Sequence, residues 1–117
     1  MKRLFSATIN SFRGLGHAVR TEAAVREEAI ALALAVPVGL VIAPSAAWYV
    51  AMIGVIVVVL AVELLNTAIE KLADHVTPEQ HPEIGTIKDF GSAAVFCALA
   101  LTALVWFAAI AVRWGLV

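Results

Sequence analysis

The chain has 117 residues, 62% hydrophobic and 15% charged, with a mean hydropathy of +0.96. A water-soluble domain is nearer half apolar, because its surface needs polar groups, so this composition excludes an ordinary soluble domain and points to the membrane class. The net charge of −1 predicts no particular partner, nucleic acid included, and the lone cysteine, Cys97, excludes an internal disulfide.

The length predicts one domain, residues 1–117. Its first twenty residues are amphipathic. At about 100° per residue, Leu4, Phe5, Ile9, Phe12, Leu15 and Val19 share one arc, and Arg3, Ser6, Asn10, Arg13, His17 and Arg20 share another. This predicts a helix over residues 2–20 lying in the membrane interface. A plain anchor explains the same pattern. Gly14 and Gly16 weaken this helix locally. Polar residues recur through residues 1–28, so the N-terminus does not read as a secretory signal.

Three segments approach the 20 or so apolar residues a bilayer span requires: 29–46, 48–72 and 92–112. Pro37 is expected to kink the first. Pro44 and Ser45 make the turn that follows, with Trp48 and Tyr49 beside it as interface aromatics. Lys2, Arg3, Arg13, Arg20, Arg26, Lys71 and Lys88 fall on one side of these spans and only Arg113 on the other. The positive-inside rule then predicts a cytoplasmic N-terminus, a cytoplasmic 74–89 loop and an outer C-terminus. The expected fold class is all-α and integral to the membrane: a surface helix and three transmembrane helices.

Polar groups in the second span carry the functional signal. Residues 50–62 have no polar side chain; then come Glu63, Asn66, Glu70 and Asp74, all within about 80° on a helical wheel. An ionisable group at the bilayer centre costs roughly 2.5–3.5 kcal/mol on insertion scales, which makes each a functional-site candidate. Asp74 and Glu70 are near the headgroups, whereas Glu63 lies about 10 Å deeper than Glu70 at 1.5 Å per residue. One reading of Glu63 and Asn66 is helix–helix hydrogen bonding; for Asp74 it is a solvated helix end. The other is a column that crosses the lipid–water boundary. Its deep carboxylate takes a proton from a lipid hydroxyl, and its shallower ones hold a divalent cation against a polyphosphate. Glu22 lies on the same side; alone it reads as an acidic residue at a helix start, with Thr21 as N-cap. Lys88 and Asp89 sit in a predicted loop leading into the third span. Lys88 suits phosphate oxygens or the positive-inside bias, and Asp89 suits a helix cap. Gly91, Ser92, Ala93 and Ala94 are small, as a close helix contact requires. His75 and His81 read as solvated loop residues. Neither GxxxxGK[ST] nor GxGxxG is present.

Two stretches, Glu63-Leu64-Leu65-Asn66-Thr67-Ala68-Ile69-Glu70 and Lys88-Asp89-Phe90-Gly91-Ser92-Ala93-Ala94-Val95, resemble the prokaryotic diacylglycerol kinase signature ExxNTAIE followed by KDxGSAAV. Glu22-Ala23-Ala24 with Arg26 is similar to the family's N-terminal motif. The resemblance implies a lipid kinase of the bacterial inner membrane, a homotrimer with active sites at subunit boundaries near the cytoplasmic face. It implies Glu63 as general base and Asn66 on the catalytic face. Glu22 and Glu70 become ligands for the magnesium carried by ATP, and Arg3, Asn10, Glu79, Gln80, His81, Lys88 and Asp89 become nucleotide contacts. The lipid site would take Ala24, Val25, Arg26, Glu27, Glu28, Ser92 and Trp106 beside Glu63. One departure is the uncharged 41–49 hairpin, which carries charges in Gram-negative members. Undecaprenol kinases of Gram-positive bacteria share the core motifs, so diacylglycerol leads undecaprenol as the expected substrate without excluding it. A second class of function is a proton- or cation-coupled transport or assembly component using the Glu63–Glu70 face. A purely structural anchor ranks last, because it leaves Glu63 unexplained.

Overall fold

The computed structural model describes residues 1–77, 79 and 81–117. Four helices follow one another: α1 (Lys2–Thr21), α2 (Ala23–Ile42), α3 (Ala46–Val76) and α4 (Pro82–Arg113). The all-α expectation holds. Helix α3 is central and packs against both α2 and α4, while α1 packs on α2.

Helix α1 keeps Leu4, Phe5, Ile9 and Phe12 exposed and buries only Ala18, so the N-terminal part of its apolar face stays uncovered while Leu15 and Val19 near its end are partly buried. It stops at Thr21 because Glu22 is extended, with φ −116° and ψ 116°. The first turn of α2 closes over that end: Arg26 Nη1 donates to the carbonyls of Val19 (3.2 Å) and Arg20 (3.4 Å). A cation on the last carbonyls of a helix also suits its dipole. The expected Thr21 cap is absent. Its hydroxyl donates back to the His17 carbonyl, and Glu22 holds the N-cap position without a side-chain bond.

Helix α2 runs through Pro37 but ends at Ile42, short of the expected 46. Pro44 disfavours helical backbone in the residue before it, and this accounts for the early stop. The apolar part of α2, residues 29–42, is therefore about 21 Å long at 1.5 Å per residue, against a hydrocarbon core of about 30 Å. Ser45 caps α3, its hydroxyl accepting from the Trp48 N–H. Among the described residues, helices α3 and α4, of 31 and 32 residues, are the two long and apolar enough to cross a bilayer. Most of their most apolar stretches face outward rather than into a core, with Leu65, Phe96, Leu104 and Phe107 among the large exposed side chains. That arrangement suits lipid as the surrounding medium.

The predicted loop around Lys88 is helix. Helix α4 begins at Pro82, with His81 as N-cap accepting the Glu83 N–H at Nδ1 (3.1 Å), so Asp89 is an interior helical residue and not a cap. A proline in the first turn followed by an acidic residue favours a helix start there.

Near the turn between α2 and α3 the helices are tied by side chains donating to carbonyls of their neighbours. The Tyr49 hydroxyl bonds Val36 O (3.0 Å) and Trp106 Nε1 bonds Met52 O (3.0 Å), while the Thr102 hydroxyl bonds Ala98 O of its own helix (2.9 Å) and approaches Val55 O of α3 (3.4 Å). Gly39 makes room for Tyr49, since a Cβ there would stand 3.0 Å from the ring.

Candidate active site

At the opposite end of the bundle, α3 turns its polar column inward. Glu63 and Asn66 are each 8% exposed, Glu70 is half-buried and Asp74 is exposed. Burial therefore grades outward toward the 77–81 connection. Asn66 Nδ2 donates to Glu70 Oε1 (3.1 Å), an i to i+4 contact along the helix. This leaves Asn66 Oδ1 buried without a hydrogen-bond partner among the described residues.

Other helices bring charge to the same place. Glu28 of α2 lies close enough to Glu63 for their charges to repel, as do Glu70 and Glu22. The Glu28 Oε2 atom is likewise buried and unpartnered among the described residues. Lys71 answers part of this negative charge: its Nζ lies 2.8 Å from Glu22 Oε1, and its field also reaches Asp74 and Glu70. Lys88 of α4 pairs with Asp74 at 2.6 Å, linking α4 to α3. Asp74, Glu79, His81 and Lys88 line a groove of about 510 Å³ at this end. A second groove, mostly apolar, runs between the end of α1 and α3, from Glu22, Thr67 and Lys71 to Leu60 and Val57.

The donor set is hard oxygen. Among the described residues no three acidic, histidine or cysteine side chains converge as a closed metal site. Magnesium is commonly held by one or two carboxylates together with substrate phosphates and water. Glu22, paired with Lys71, and Glu70, bonded to Asn66, are donors of the type that mode uses, and no metal cage of protein alone forms among the described residues.

A profile of the prokaryotic diacylglycerol kinase family matches residues 9–110. The chain belongs to that family. Three relatives, all diacylglycerol kinases, extend the match over most of each chain. The Pseudomonas aeruginosa protein is 40% identical over 106 residues, covering 91% of this chain and 86% of its own. That of Escherichia coli K12 is 38% identical over 104 residues, covering 89% and 85%. The Haemophilus influenzae protein is 34% identical over 106 residues, covering 91% and 90%. The protein is thus an enzyme of the diacylglycerol kinase family, with apolar helices that fit a membrane protein.

Against that membership, the predicted site residues divide. Glu22, Glu28, Glu63, Asn66 and Glu70 come together, and Glu79, His81 and Lys88 line the adjoining groove. Asp89 is exposed beside it. Gln80 lies outside the described residues. Arg3 and Asn10 stand about 27 Å and 17 Å along α1 from its end, at 1.5 Å per residue, and line neither groove. Of the expected lipid contacts, Ala24, Arg26 and Glu27 are exposed and Val25 is fully buried. Ser92 is exposed, while Trp106 lies toward the far end of the bundle, bonded to Met52. Two features went unread in the sequence. Lys71 was counted only toward topology, because nothing in its spacing announces a partner 49 positions away. Glu28 was placed by resemblance alone, and its approach to Glu63 needs the fold.

Proposed function

We propose that this enzyme transfers the γ-phosphoryl group of ATP, with magnesium, to the free hydroxyl of diacylglycerol at the cytoplasmic face of the inner membrane, giving phosphatidic acid. The observation that carries this reading is the burial of Glu63 beneath a column of shallower carboxylates. A deep base facing a water-side charge cluster suits an acceptor that stays in the lipid and a donor that arrives from solution.

Glu63 accepts the hydroxyl proton as the lipid oxygen bonds to the γ-phosphorus; the bond from that phosphorus to the bridging oxygen breaks, and ADP departs. Phosphoryl transfer demands alignment and charge neutralisation more than covalent help. Asn66 orients Glu70 through the 3.1 Å bond. Glu22 and Glu70 are the groups that would hold the metal, which supplies neutralisation of phosphate charge when bound. Lys88, Glu79 and His81 form the walls for the nucleotide, with Asp89, Arg3 and Asn10 as outlying contacts and Gln80 as a contact by resemblance alone. Arg3 and Asn10 reach the nucleotide only if α1 of another subunit delivers them. Ala24, Val25, Arg26, Glu27, Glu28, Ser92 and Trp106 belong to the lipid side of this proposal, where Val25 acts by packing because it is fully buried.

The protein is read as one membrane domain, residues 1–117, with α2 as a third and shorter span beside α3 and α4. Seven Lys and Arg residues on the side of the carboxylates against Arg113 support an N-in orientation. Trimerisation rests on the family resemblance. The polar face of α3 adds no support for it, because Glu63 and Asn66 are buried within one chain. The curated relatives are diacylglycerol kinases, which favours diacylglycerol over undecaprenol and a kinase over a transport component.

The test is transfer from γ-labelled ATP, with magnesium, in mixed micelles holding diacylglycerol or undecaprenol. Labelled phosphatidic acid is the expected product. Transfer to undecaprenol alone would replace the substrate, and transfer to neither by folded protein would remove the kinase reading.

A further inference from the structure

The orphan oxygen of Asn66 points at the neighbouring helix. Only the amide nitrogen can donate to the Glu70 carboxylate, so the bond to Glu70 obliges Oδ1 to face the other way. What it meets is Gly91 of α4, itself buried. A Cβ built on Gly91 would overlap Asn66 Oδ1 outright and stand 3.1 Å from its Cγ. The amide thus fills the volume that any other residue at 91 would need. In that position a Cα–H of glycine is the group facing the oxygen, a weak contact of the kind common where helices touch.

We infer that Gly91 is a positioning residue for the metal- and nucleotide-binding carboxylate: by lacking a side chain it seats the Asn66 amide, and the seated amide holds Glu70. This rests on the proposed role of Glu70. The chain of contact runs from the Gly91 backbone to Asn66 Oδ1, through the planar amide to Nδ2, and on to Glu70 Oε1. An amide is rigid, so its oxygen cannot be pushed aside without turning its nitrogen off the carboxylate. Adjacent space does not relieve the collision, because Asn66 is only 8% exposed. Alanine at 91 therefore does to Glu70 what deleting the Asn66 amide does.

The experiment uses full-length protein in micelles labelled with [15N]asparagine. The chain has two asparagines, Asn10 and Asn66, so Asn66→Ala assigns the Asn66 side-chain amide signal by its loss. Gly91→Ala should move that signal, as Glu70→Gln should. In parallel, binding of magnesium with a non-hydrolysable ATP analogue is measured by calorimetry. Gly91→Ala and Asn66→Ala should each weaken it by about tenfold, the scale of one hydrogen bond to a charged group. The double variant should be no worse than Asn66→Ala alone, since only the Asn66 Cβ, at 3.9 Å, would then face the new methyl. An unmoved amide signal, or losses that multiply in the double variant, would overturn the inference. If Gly91→Ala does not fold, a folded double variant supports it and an unfolded one sinks it. If the unmutated protein binds no nucleotide, the kinase role of Glu70 fails, and the amide signal still decides whether Gly91 seats Asn66.

Discussion

Close to the 43–45 turn, the Tyr49 hydroxyl and the Trp106 indole each donate to a carbonyl of an adjacent helix, and the Thr102 hydroxyl is satisfied by Ala98 O of its own helix. At the other end, Glu28 Oε2 and Asn66 Oδ1 are buried without a hydrogen-bond partner among the described residues. Unpaired polar atoms are costly in a low-dielectric interior. One half of the bundle has eliminated that cost, and the other keeps Glu63 repelled by the charges of Glu28, Glu70 and Glu22. The first half is built for association of helices. The second leaves polar atoms unpartnered, which accords with the proposed binding of metal and nucleotide there.

The largest break in this comparison is Glu63→Gln. Loss of a general base should lower turnover by about 10²–10⁴-fold with nucleotide binding largely intact. The thermal midpoint should not fall, because a charge crowded by Glu28, Glu22 and Glu70 is removed. Unchanged turnover would remove the base assignment; a large drop in thermal midpoint would mean the carboxylate stabilises the bundle after all. Glu70→Gln comes next. Glutamine still accepts from Asn66 Nδ2, so the local fold persists while the charge is lost. Calorimetry should show magnesium–nucleotide affinity weakened by about tenfold, in line with a charge-assisted contact, and an unaltered magnesium dependence would count against ligation. Tyr49→Phe probes the satisfied half. Deleting its bond to Val36 should cost about 1 kcal/mol of stability in reversible denaturation and leave turnover per folded molecule unchanged. Reduced turnover there would show that the two halves are coupled.

The sequence made the polar half unusually legible. Glu63, Asn66, Glu70 and Asp74 share a helical face by spacing alone, and the apolar run before them marks how deep Glu63 lies. The structure agrees, with burial falling outward along the column. The amphipathic α1 and the turn at Pro44 and Ser45 were legible for the same reason, since periodicity and turn chemistry are local. Contacts between distant segments were not. The pairing of Lys71 with Glu22, the approach of Glu28 to Glu63, and the fit of Asn66 against Gly91 depend on how helices lie against one another. The start of α4 was misplaced for a different reason: hydropathy locates a span, not a helix. The polar first two and a half turns of α4, from Pro82, continue the helix outside the apolar stretch.

The whole connection between α1 and α2 is Glu22, a single extended residue clasped to α3 by Lys71. A carboxylate proposed to bind metal therefore sits in the hinge pin between the helix exposing its apolar face and the bundle. With one residue in the joint, a tilt of α1 cannot be absorbed by slack before it reaches Glu22. A change in how α1 rests on its surroundings would have to pass through the single residue that carries this carboxylate. On the proposed reading, the membrane surface and the carboxylate at residue 22 would thus be mechanically adjacent.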